Sequence, residues 1–130
     1  MNWTVELIES LNFVKITIWG DFNVEDSLKI IKDFISRDFW EPGMKTMFDC
    51  RRIIFYNLAL GVLREIGEFY ALQNERIGDG KMALLMGSPR DFGIARQFEM
   101  LTEGKILSQV HVFLNETEAV SWLTAEPAAA

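Results

Sequence analysis

The chain has 130 residues, a length at which one domain can bury a sizeable hydrophobic core. Apolar side chains make up 49% of it and charged side chains 25%, a balance that is typical of globular proteins and excludes a disordered or fibrous chain. The net charge is −6, and because the longest basic cluster is the pair Arg51 and Arg52, nucleic acid and anionic membrane surfaces are poor candidates as partners.

The N-terminal part of the chain has the pattern of a hairpin followed by a helix. Apolar and polar residues largely alternate over 3–8 and again over 13–19, which predicts two antiparallel strands joined by a turn. Asn23 is expected to cap the first helix, in which apolar residues recur at helical spacing until Pro42 stops it.

Three units of a strand followed by a helix are predicted next. The strands are predicted over 44–50, 81–87 and 109–114, and their helices are expected to be capped by Asn57, Asp91 and Asn115. Because 81–87 is almost entirely apolar, this strand is expected to be the middle strand of the sheet and to be covered on both faces.

The resulting order of elements is β-β-α-β-α-β-α-β-α. A helix after nearly every strand requires parallel crossover connections, so the sequence predicts an α/β fold with a mixed, mostly parallel sheet and an antiparallel hairpin at its N-terminus. One domain is expected over 1–124, followed by a flexible C-terminal tail over 125–130.

The sequence also bears on the cellular compartment. Its one cysteine, Cys50, cannot form an intramolecular disulfide, and the N-terminus lacks the basic and apolar regions of a secretory signal. No apolar run approaches the roughly 20 residues that span a bilayer. A cytoplasmic protein without a membrane span is therefore expected.

Short motifs in the second half of the chain add to this pattern. Residues 92–96 read FGIAR after an apolar strand, and residues 112–114 and 118–123 read VFL and EAVSWL. Together with the order of elements, which covers nearly the whole chain, these motifs resemble the STAS domain of bacterial anti-sigma-factor antagonists, in particular its uncharacterised stage II sporulation protein AA-like branch. The resemblance implies a STAS-like fold and a non-enzymatic binding or regulatory module that recognises a protein partner.

The chain departs from those antagonists at their switch. The antagonists carry a phosphorylated Ser in an Asp-Ser-Ser-Gly motif at the start of the second helix, where this chain has Tyr56, Asn57, Leu58 and Ala59. Because no hydroxyl stands at the switch position, regulation by phosphorylation of that kind is not expected. The branch is also similar at a low level to CRAL-TRIO lipid carriers, which implies an apolar ligand as an alternative.

Reactive side chains are few. His111 is the only histidine, which removes most metal sites and most Ser-His or Cys-His arrangements, and its alternation with Val110 and Val112 favours an ordinary sheet position. Cys50 beside Arg51 is either a redox-sensitive thiol or a buried structural side chain. We therefore expect no enzyme activity, no cofactor and no metal.

Four polar residues are candidates for an anion site. Ser88 and Arg90 lie at a strand end just before a helix, whose free amides attract anions. Arg51 and Arg52 leave the preceding strand at the same edge and are expected to reach the same phosphate or carboxylate if the strands are neighbours. The alternative is that these arginines only solvate the loop rim.

The most distinctive feature is an apolar segment over 53–60. Its candidate binding residues are Ile53, Ile54, Phe55, Tyr56, Asn57, Leu58 and Leu60. The apolar ones cannot all face one core, so some are expected to be exposed and, with the second helix, to bind a protein partner. The alternative is a pocket for a small apolar or lipid-like ligand, in which Met47, Met82 and Met86 take part. An enzyme is the third hypothesis, and a loop folded over the sheet would instead hide the segment.

The second strand has two faces of different character. If Val14, Ile16 and Ile18 face the helices, the residues that face the other way are Phe13, Lys15, Thr17 and Trp19. Helices on one side only would leave that aromatic face open, and a homodimer is one way to cover it.

Overall fold

The computed structural model of the protein describes residues 1–125. Its strands are β1 (Asn2–Ile8), β2 (Phe13–Asp21), β3 (Lys45–Ile54), β4 (Lys81–Leu85) and β5 (Gln109–Phe113). Its helices are α1 (Val24–Ser36), α2 (Leu60–Leu72), α3 (Asn74–Ile77), α4 (Pro89–Thr102) and α5 (Glu116–Thr124). The predicted α/β order is confirmed, with the single turn α3 as an addition, and none of the described helices is long and apolar enough to cross a membrane. Of the predicted tail, residues 126–130 lie outside the described part of the chain.

The sheet is mixed, and its strands lie side by side in chain order from β1 to β5. β1 and β2 form the predicted antiparallel hairpin, in which Ile8 pairs with Phe13, and the other strands are parallel. The expectation that β4 is the middle strand is wrong, because β3 takes that place. β4 is apolar because both of its faces are covered: Met82 lies under one layer of helices, and Ala83 and Leu85 lie under another.

The main core lies between one face of the sheet and helices α1, α2 and α4. Val14, Ile16 and Ile18 supply this face in β2, as their alternation predicts. Helix α1 begins where Asn23 caps it by accepting a hydrogen bond from the backbone N–H of Asp26 at 2.9 Å. The apolar stripe that α1 buries against the sheet consists of Ile30, Ile31, Phe34 and Ile35.

Helix α5, capped by Asn115 as predicted, packs on the opposite face of the sheet. The residues of this second, smaller core are Phe13, Met47, Ala83, Leu85, Ala119 and Leu123. The premise that helices lie on one side only is therefore wrong, because α5 covers Phe13. Lys15, Thr17 and Trp19 on the same face remain partly exposed. The homodimer stays a prediction, but the argument from an open aromatic face of the sheet no longer supports it.

Strand β3 is longer than predicted, because it continues past Cys50 to Ile54. The pairing of β2 with β3 shifts register at a bulge between Thr17 and Trp19 and then continues. Asp21 at the end of β2 consequently lies opposite Ile54. The first part of the apolar segment is therefore a strand end, and only the stretch after it is a loop.

Two of the predicted helix caps are wrong. Asn57 does not cap α2, because the helix starts later, with Ala59 at its N-cap and without a side-chain hydrogen bond there. Asp91 does not cap α4, because Ser88 does: Ser88 Oγ accepts a hydrogen bond from the Asp91 N–H at 3.1 Å. Pro89 then occupies the first turn, where its missing N–H costs nothing. Asp91 instead lies in the first turn, where its negative charge matches the positive end of the helix dipole.

Candidate functional site

The apolar segment predicted as a binding site spans the end of β3, an irregular stretch over 55–59 and the first residue of α2. Ile53 and Phe55 are buried, with 7% and 8% of their surface exposed. The apolar side chains of the segment that face solvent are Ile54, Tyr56 and Leu60, with 52%, 61% and 48% exposed. Asn57 is also exposed and Leu58 is half-buried. The segment therefore has one set of apolar side chains that is buried in the interior and a second set that faces solvent.

Contacts from two sides hold this segment in place. The backbone N–H of Phe22 donates a hydrogen bond to the Ile54 carbonyl oxygen at 3.0 Å, and the rings of Phe22 and Phe55 pack with their centroids 5.3 Å apart. From the other side, Arg90 Nη1 donates to the Phe55 carbonyl oxygen at 2.9 Å. The segment is thereby tied both to the residue that follows β2 and to the start of α4.

A cavity of about 130 Å³ lies beneath the segment, between the sheet and helices α1, α2 and α4. Ile53 and Phe55 form part of its wall, together with Met82 and Met86, which the sequence also predicts for a pocket. Met47, predicted for the same pocket, takes no part in the main core, because it lies on the α5 face of the sheet. The buried half of the segment thus converges on an interior pocket.

The wall of this cavity is almost entirely apolar. Its hydroxyl groups come from Ser27 and Tyr70, and both have other partners. Ser27 Oγ donates to the Asn23 carbonyl oxygen at 3.0 Å, and the Tyr70 hydroxyl shares a hydrogen bond with Ser108 Oγ at 3.3 Å. Burial raises the pKa of Tyr70 above its ordinary value, so this phenol stays protonated. These surroundings suit an apolar guest.

Cys50 lies in the cavity wall as a buried thiol. Burial raises its pKa to about 12, and the negative charges of Asp49 and Asp91 act in the same direction. The neighbouring Arg51 does not favour the thiolate, because its guanidinium pairs with the Asp49 carboxylate at 2.8 Å. The geometry agrees with the structural interpretation of Cys50 and not with a redox-sensitive thiolate.

The structure does not bring the four predicted anion-binding residues together. Arg51 pairs with carboxylates at 2.8 Å and 3.2 Å on the α5 face of the sheet, and the Arg52 guanidinium lies 5.7 Å from the centroid of the Trp19 ring. Ser88 and Arg90 belong to the other layer, where Ser88 caps α4 and Arg90 binds a backbone carbonyl. All four side chains are thus engaged by other groups of the protein.

Sequence reasoning missed a charged cluster on the α5 face of the sheet. Asp49 is buried and accepts hydrogen bonds from Arg51 Nε at 3.0 Å and Nη2 at 2.8 Å. The same Nη2 reaches Glu116 in α5 at 3.2 Å, and Lys15 Nζ approaches Glu116 at 3.6 Å. Burial pushes the pKa of Asp49 up, but the hydrogen bonds and charge of Arg51 outweigh burial, so this pKa lies below its ordinary value. The available sequence signal was the i, i+2 spacing of Asp49 and Arg51 on one strand face.

His111 and Cys50 lie on opposite faces of the sheet. It is exposed on β5 against the ring of Trp122, with centroids 4.7 Å apart, on the α5 face of the sheet. Cys50 belongs to the core on the opposite face. Within residues 1–125, no group of three or more His, Cys, Asp or Glu side chains is placed to hold a metal ion.

Comparison with known proteins supports the fold. No protein-family model matches the sequence, and no curated protein matches it significantly. The chain is similar in structure to an uncharacterized protein of the DUF3478 family with a SpoIIAA-like fold from Shewanella loihica PV-4. The two share 12% sequence identity with a TM-score of 0.57, over 94% of this chain and 92% of that one. The chain therefore has a SpoIIAA-like fold, which is the fold that the sequence resemblance implies.

Proposed function

We propose that the chain is a non-catalytic module that binds a small apolar molecule in the cavity beneath residues 53–60. The observation that carries this proposal is the cavity itself, a volume of about 130 Å³ with an almost wholly apolar wall. In another protein, an engineered apolar cavity of about 150 Å³ stays dry and binds benzene. The cavity here therefore suits a guest of about the size of one aromatic ring or a short alkyl chain.

The packing around the cavity supports this role. Protein interiors are packed as densely as organic crystals and contain few voids larger than a water molecule. An apolar ligand that fills this space gains contacts with the wall and removes apolar surface from water, and both effects favour binding.

Two features support the non-catalytic part of the proposal. The order of the described strands never reverses, so the sheet has no switch point of the kind where active-site crevices of α/β proteins form. The most nucleophilic candidates, Cys50 and His111, lie on opposite faces of the sheet, and burial keeps the Cys50 thiol protonated.

Filling the cavity from its wall tests the proposal. Ala95 lines the cavity, whereas Ala119 lies in the α5 core, and both side chains are buried. Toluene is expected to raise the Tm of the wild-type chain. Ala95→Leu is expected to fold with an unchanged or higher Tm and to lose the response to toluene, because the added carbons occupy the space of the guest.

The matched control is Ala119→Leu in the tightly packed second core. It is expected to cost about 1–3 kcal/mol of stability through overpacking and to keep the response to toluene. A wild-type chain whose Tm does not change with toluene, or with apolar compounds of similar size, would count against the proposal. Native mass spectrometry of the chain purified from its own host would then identify the natural guest.

A second candidate function is recognition of a protein partner through the outer side of the same segment. The observation that favours it is the exposure of three large side chains there, namely Ile54, Tyr56 and Leu60, next to helix α2. Scattered apolar side chains are common on protein surfaces, whereas an apolar cavity of this size between a sheet and its helices is not. The ligand is therefore the first proposal and the partner the second.

A further inference from the structure

The irregular stretch over 55–59 covers the cavity with few attachments. From 54 to 61, Phe55 is the only residue that is buried. The backbone over 55–58 makes no hydrogen bond to another backbone group within residues 1–125, and the Phe55 carbonyl oxygen instead accepts a hydrogen bond from Arg90 at 2.9 Å. Segments with so little buried apolar surface and so few hydrogen bonds open at a low cost in free energy. Moving this stretch away from the cavity therefore exposes one buried ring and breaks few hydrogen bonds.

Phe55 is the side chain with which this stretch closes the cavity. Its ring lines the cavity and packs on the ring of Phe22, another lining residue, with the centroids 5.3 Å apart. The residues on either side of it, Ile54 and Tyr56, are 52% and 61% exposed. The wall of the cavity is therefore only one residue thick at Phe55, and solvent lies directly outside it.

The first turn of α2 has the properties of a hinge. Ala59 occupies the N-cap without a side-chain hydrogen bond, so its side chain does not hold the first N–H groups of the helix. Gly61 in this turn is exposed, and apart from its own helix backbone and chain neighbours no atom lies within 4 Å of the position that a Cβ would take. Because glycine loses more conformational freedom on folding than any other residue, this turn unwinds readily. Leu63 is buried in the cavity wall and fixes the helix from there on.

The helices around the cavity are held more firmly than this stretch. Helices α2 and α4 approach so closely that a Cβ atom added at Gly67 would lie 2.8 Å from Thr102 Cγ2. Beyond α2, the side-chain amide of Asn74 forms hydrogen bonds of 3.0 Å and 3.1 Å with the backbone of the loop that follows α4. Trp3 Nε1 donates to Asp33 at 2.9 Å and so ties α1 to β1. Parting the helices would break these contacts, and the stretch over 55–59 offers the easier route to the cavity.

We infer that residues 55–61 are a lid that opens over the cavity, with Phe55 as the closing side chain and Gly61 at the hinge, and that the guest enters and leaves through it. The inference rests on the proposed function and adds to it the route by which the site is reached. Because the closed lid separates the guest from solvent, its opening sets the rates of binding and release. A change at the hinge therefore alters both rates together and leaves the Kd unchanged.

Two glycines provide a matched pair of variants. Gly61 in α2 and Gly93 in α4 both have open space where a Cβ would stand, so alanine fits at either position. Gly61→Ala restricts the hinge and is expected to slow release of 4-fluorotoluene roughly threefold, with a Kd within about twofold of the wild-type value. Gly93→Ala stiffens α4 outside the hinge and is expected to leave the release rate unchanged. Fluorine NMR measures the release rate, and calorimetric titration gives the Kd.

A second measurement follows the lid without a guest. Cys50 lines the cavity and is buried, so a thiol reagent reaches it only when the wall opens. Gly61→Ala is expected to slow the modification of Cys50 by iodoacetamide roughly threefold, whereas Gly93→Ala is expected to react at the wild-type rate. Saturation of the wild-type chain with 4-fluorotoluene is expected to slow the reaction further, because the guest then occupies the path to the thiol.

Shortening the closing side chain is expected to act in the opposite direction. Phe55→Leu exposes less apolar surface when the lid opens and is expected to speed release of 4-fluorotoluene roughly fivefold. The control is Phe69→Leu, because Phe69 is a half-buried ring of α2 that does not line the cavity. It is expected to release the guest at the wild-type rate.

The outcomes separate the inference from the proposed function. If 4-fluorotoluene binds, but Gly61→Ala and Gly93→Ala release it at the same rate and expose Cys50 equally, the lid inference is wrong and the apolar site stands. If 4-fluorotoluene does not bind, but Gly61→Ala alone still slows the reaction of Cys50, the proposed function fails and the opening of the lid stands. Equal release from Phe55→Leu and Phe69→Leu would contradict the role of Phe55. Circular dichroism of each variant confirms that the comparison is made between folded chains.

Discussion

Arg90 at the start of α4 donates a hydrogen bond to the carbonyl oxygen of Phe55, 2.9 Å away, and so ties the irregular stretch over 55–59 to the helix beside the cavity. Arg90→Ala removes this donor and is expected to let the stretch open more often. Cys50 in the cavity wall reports the opening, because its burial and its pKa of about 12 keep it unreactive in the closed state.

The measurement is the rate at which a thiol reagent modifies Cys50 at pH 8. Arg90→Ala is expected to raise this rate roughly fivefold, as the loss of one hydrogen bond of about 1 kcal/mol would do. Arg96→Ala, which removes an ion pair with Glu99 on the same helix, is the control and is expected to react at the wild-type rate. Equal rates in the two variants would show that the Arg90 contact does not restrain the stretch.

The pair formed by Asp49 and Arg51 predicts a stability effect. Arg51→Met leaves the buried Asp49 carboxylate without its main partner and is expected to cost about 1–3 kcal/mol at pH 7. The adjacent Arg52→Met removes only an exposed contact with a ring and is expected to cost no more than about 1 kcal/mol. Urea denaturation of the two variants gives both values, and equal costs would argue against the importance of the buried pair.

The same carboxylate predicts a pH dependence. The pKa of Asp49 is lower in the folded chain than its ordinary value of 3.8, so the folded state binds this proton less readily than the unfolded state does. The stability that Asp49 contributes is therefore present above about pH 4 and is lost as the pH falls through the folded pKa. Asp49→Asn is expected to be less stable than wild type at pH 7 and to lose less stability between pH 5 and pH 2. A parallel loss in both chains over that interval would contradict the shift.

The start of α2 predicts a stabilising substitution. Ala59 occupies the N-cap in an extended conformation but supplies no side-chain acceptor, and the first turn holds no acidic residue. Ala59→Asp is expected to add about 0.5–2 kcal/mol to the free energy of unfolding, because its carboxylate accepts an N–H of the first turn and matches the helix dipole. The reverse control is Asn23→Ala, which removes the observed cap of α1 and is expected to lose a similar amount. If Ala59→Asp leaves the free energy of unfolding unchanged, the backbone N–H groups at the start of α2 already have other hydrogen-bond partners.

Two leucines in α2 test the division of the segment into inner and outer sides. Leu60 is exposed and Leu63 is buried in the cavity wall. Leu60→Gln is expected to change the free energy of unfolding by less than about 0.5 kcal/mol, whereas Leu63→Ala is expected to cost about 2–5 kcal/mol. Light scattering of the Leu60→Gln chain beside wild type shows whether the outer side also holds two copies together, and an unchanged mass would leave that side without a role in self-association.

Local patterns predicted most of the individual elements. The alternation over 13–19 assigned Val14 and Ile16 to one face of β2, and Asn23 marked the start of α1, because both features depend on neighbours in the chain. The order of layers does not depend on neighbours alone. Whether α5 covers Phe13 is decided by packing across the sheet, and this information is absent from the periodicity of either element.

The sequence predicted the candidate site only in part, because the burial of its side chains also depends on packing between elements. The apolar composition of residues 53–60 indicated where the site lies, but the division between its buried and exposed side chains follows from the length of β3 and the late start of α2. Asp91 was mistaken for a cap because Ser88 and Asp91 are both suitable cap residues. Only the observed hydrogen bond from the Asp91 N–H to Ser88 Oγ shows that Ser88 takes that role.

The placement of α5 has a practical consequence. Thr117 is exposed on α5, and a sheet layer separates this helix from the cavity, so that roughly 10 Å of packed side chains and backbone lie between them. A Thr117→Cys chain would carry one reactive surface thiol beside the unreactive Cys50. Coupled through that thiol to a sensor chip, every molecule would be immobilised by its α5 side and would turn the cavity and the segment above it toward the flowing solution.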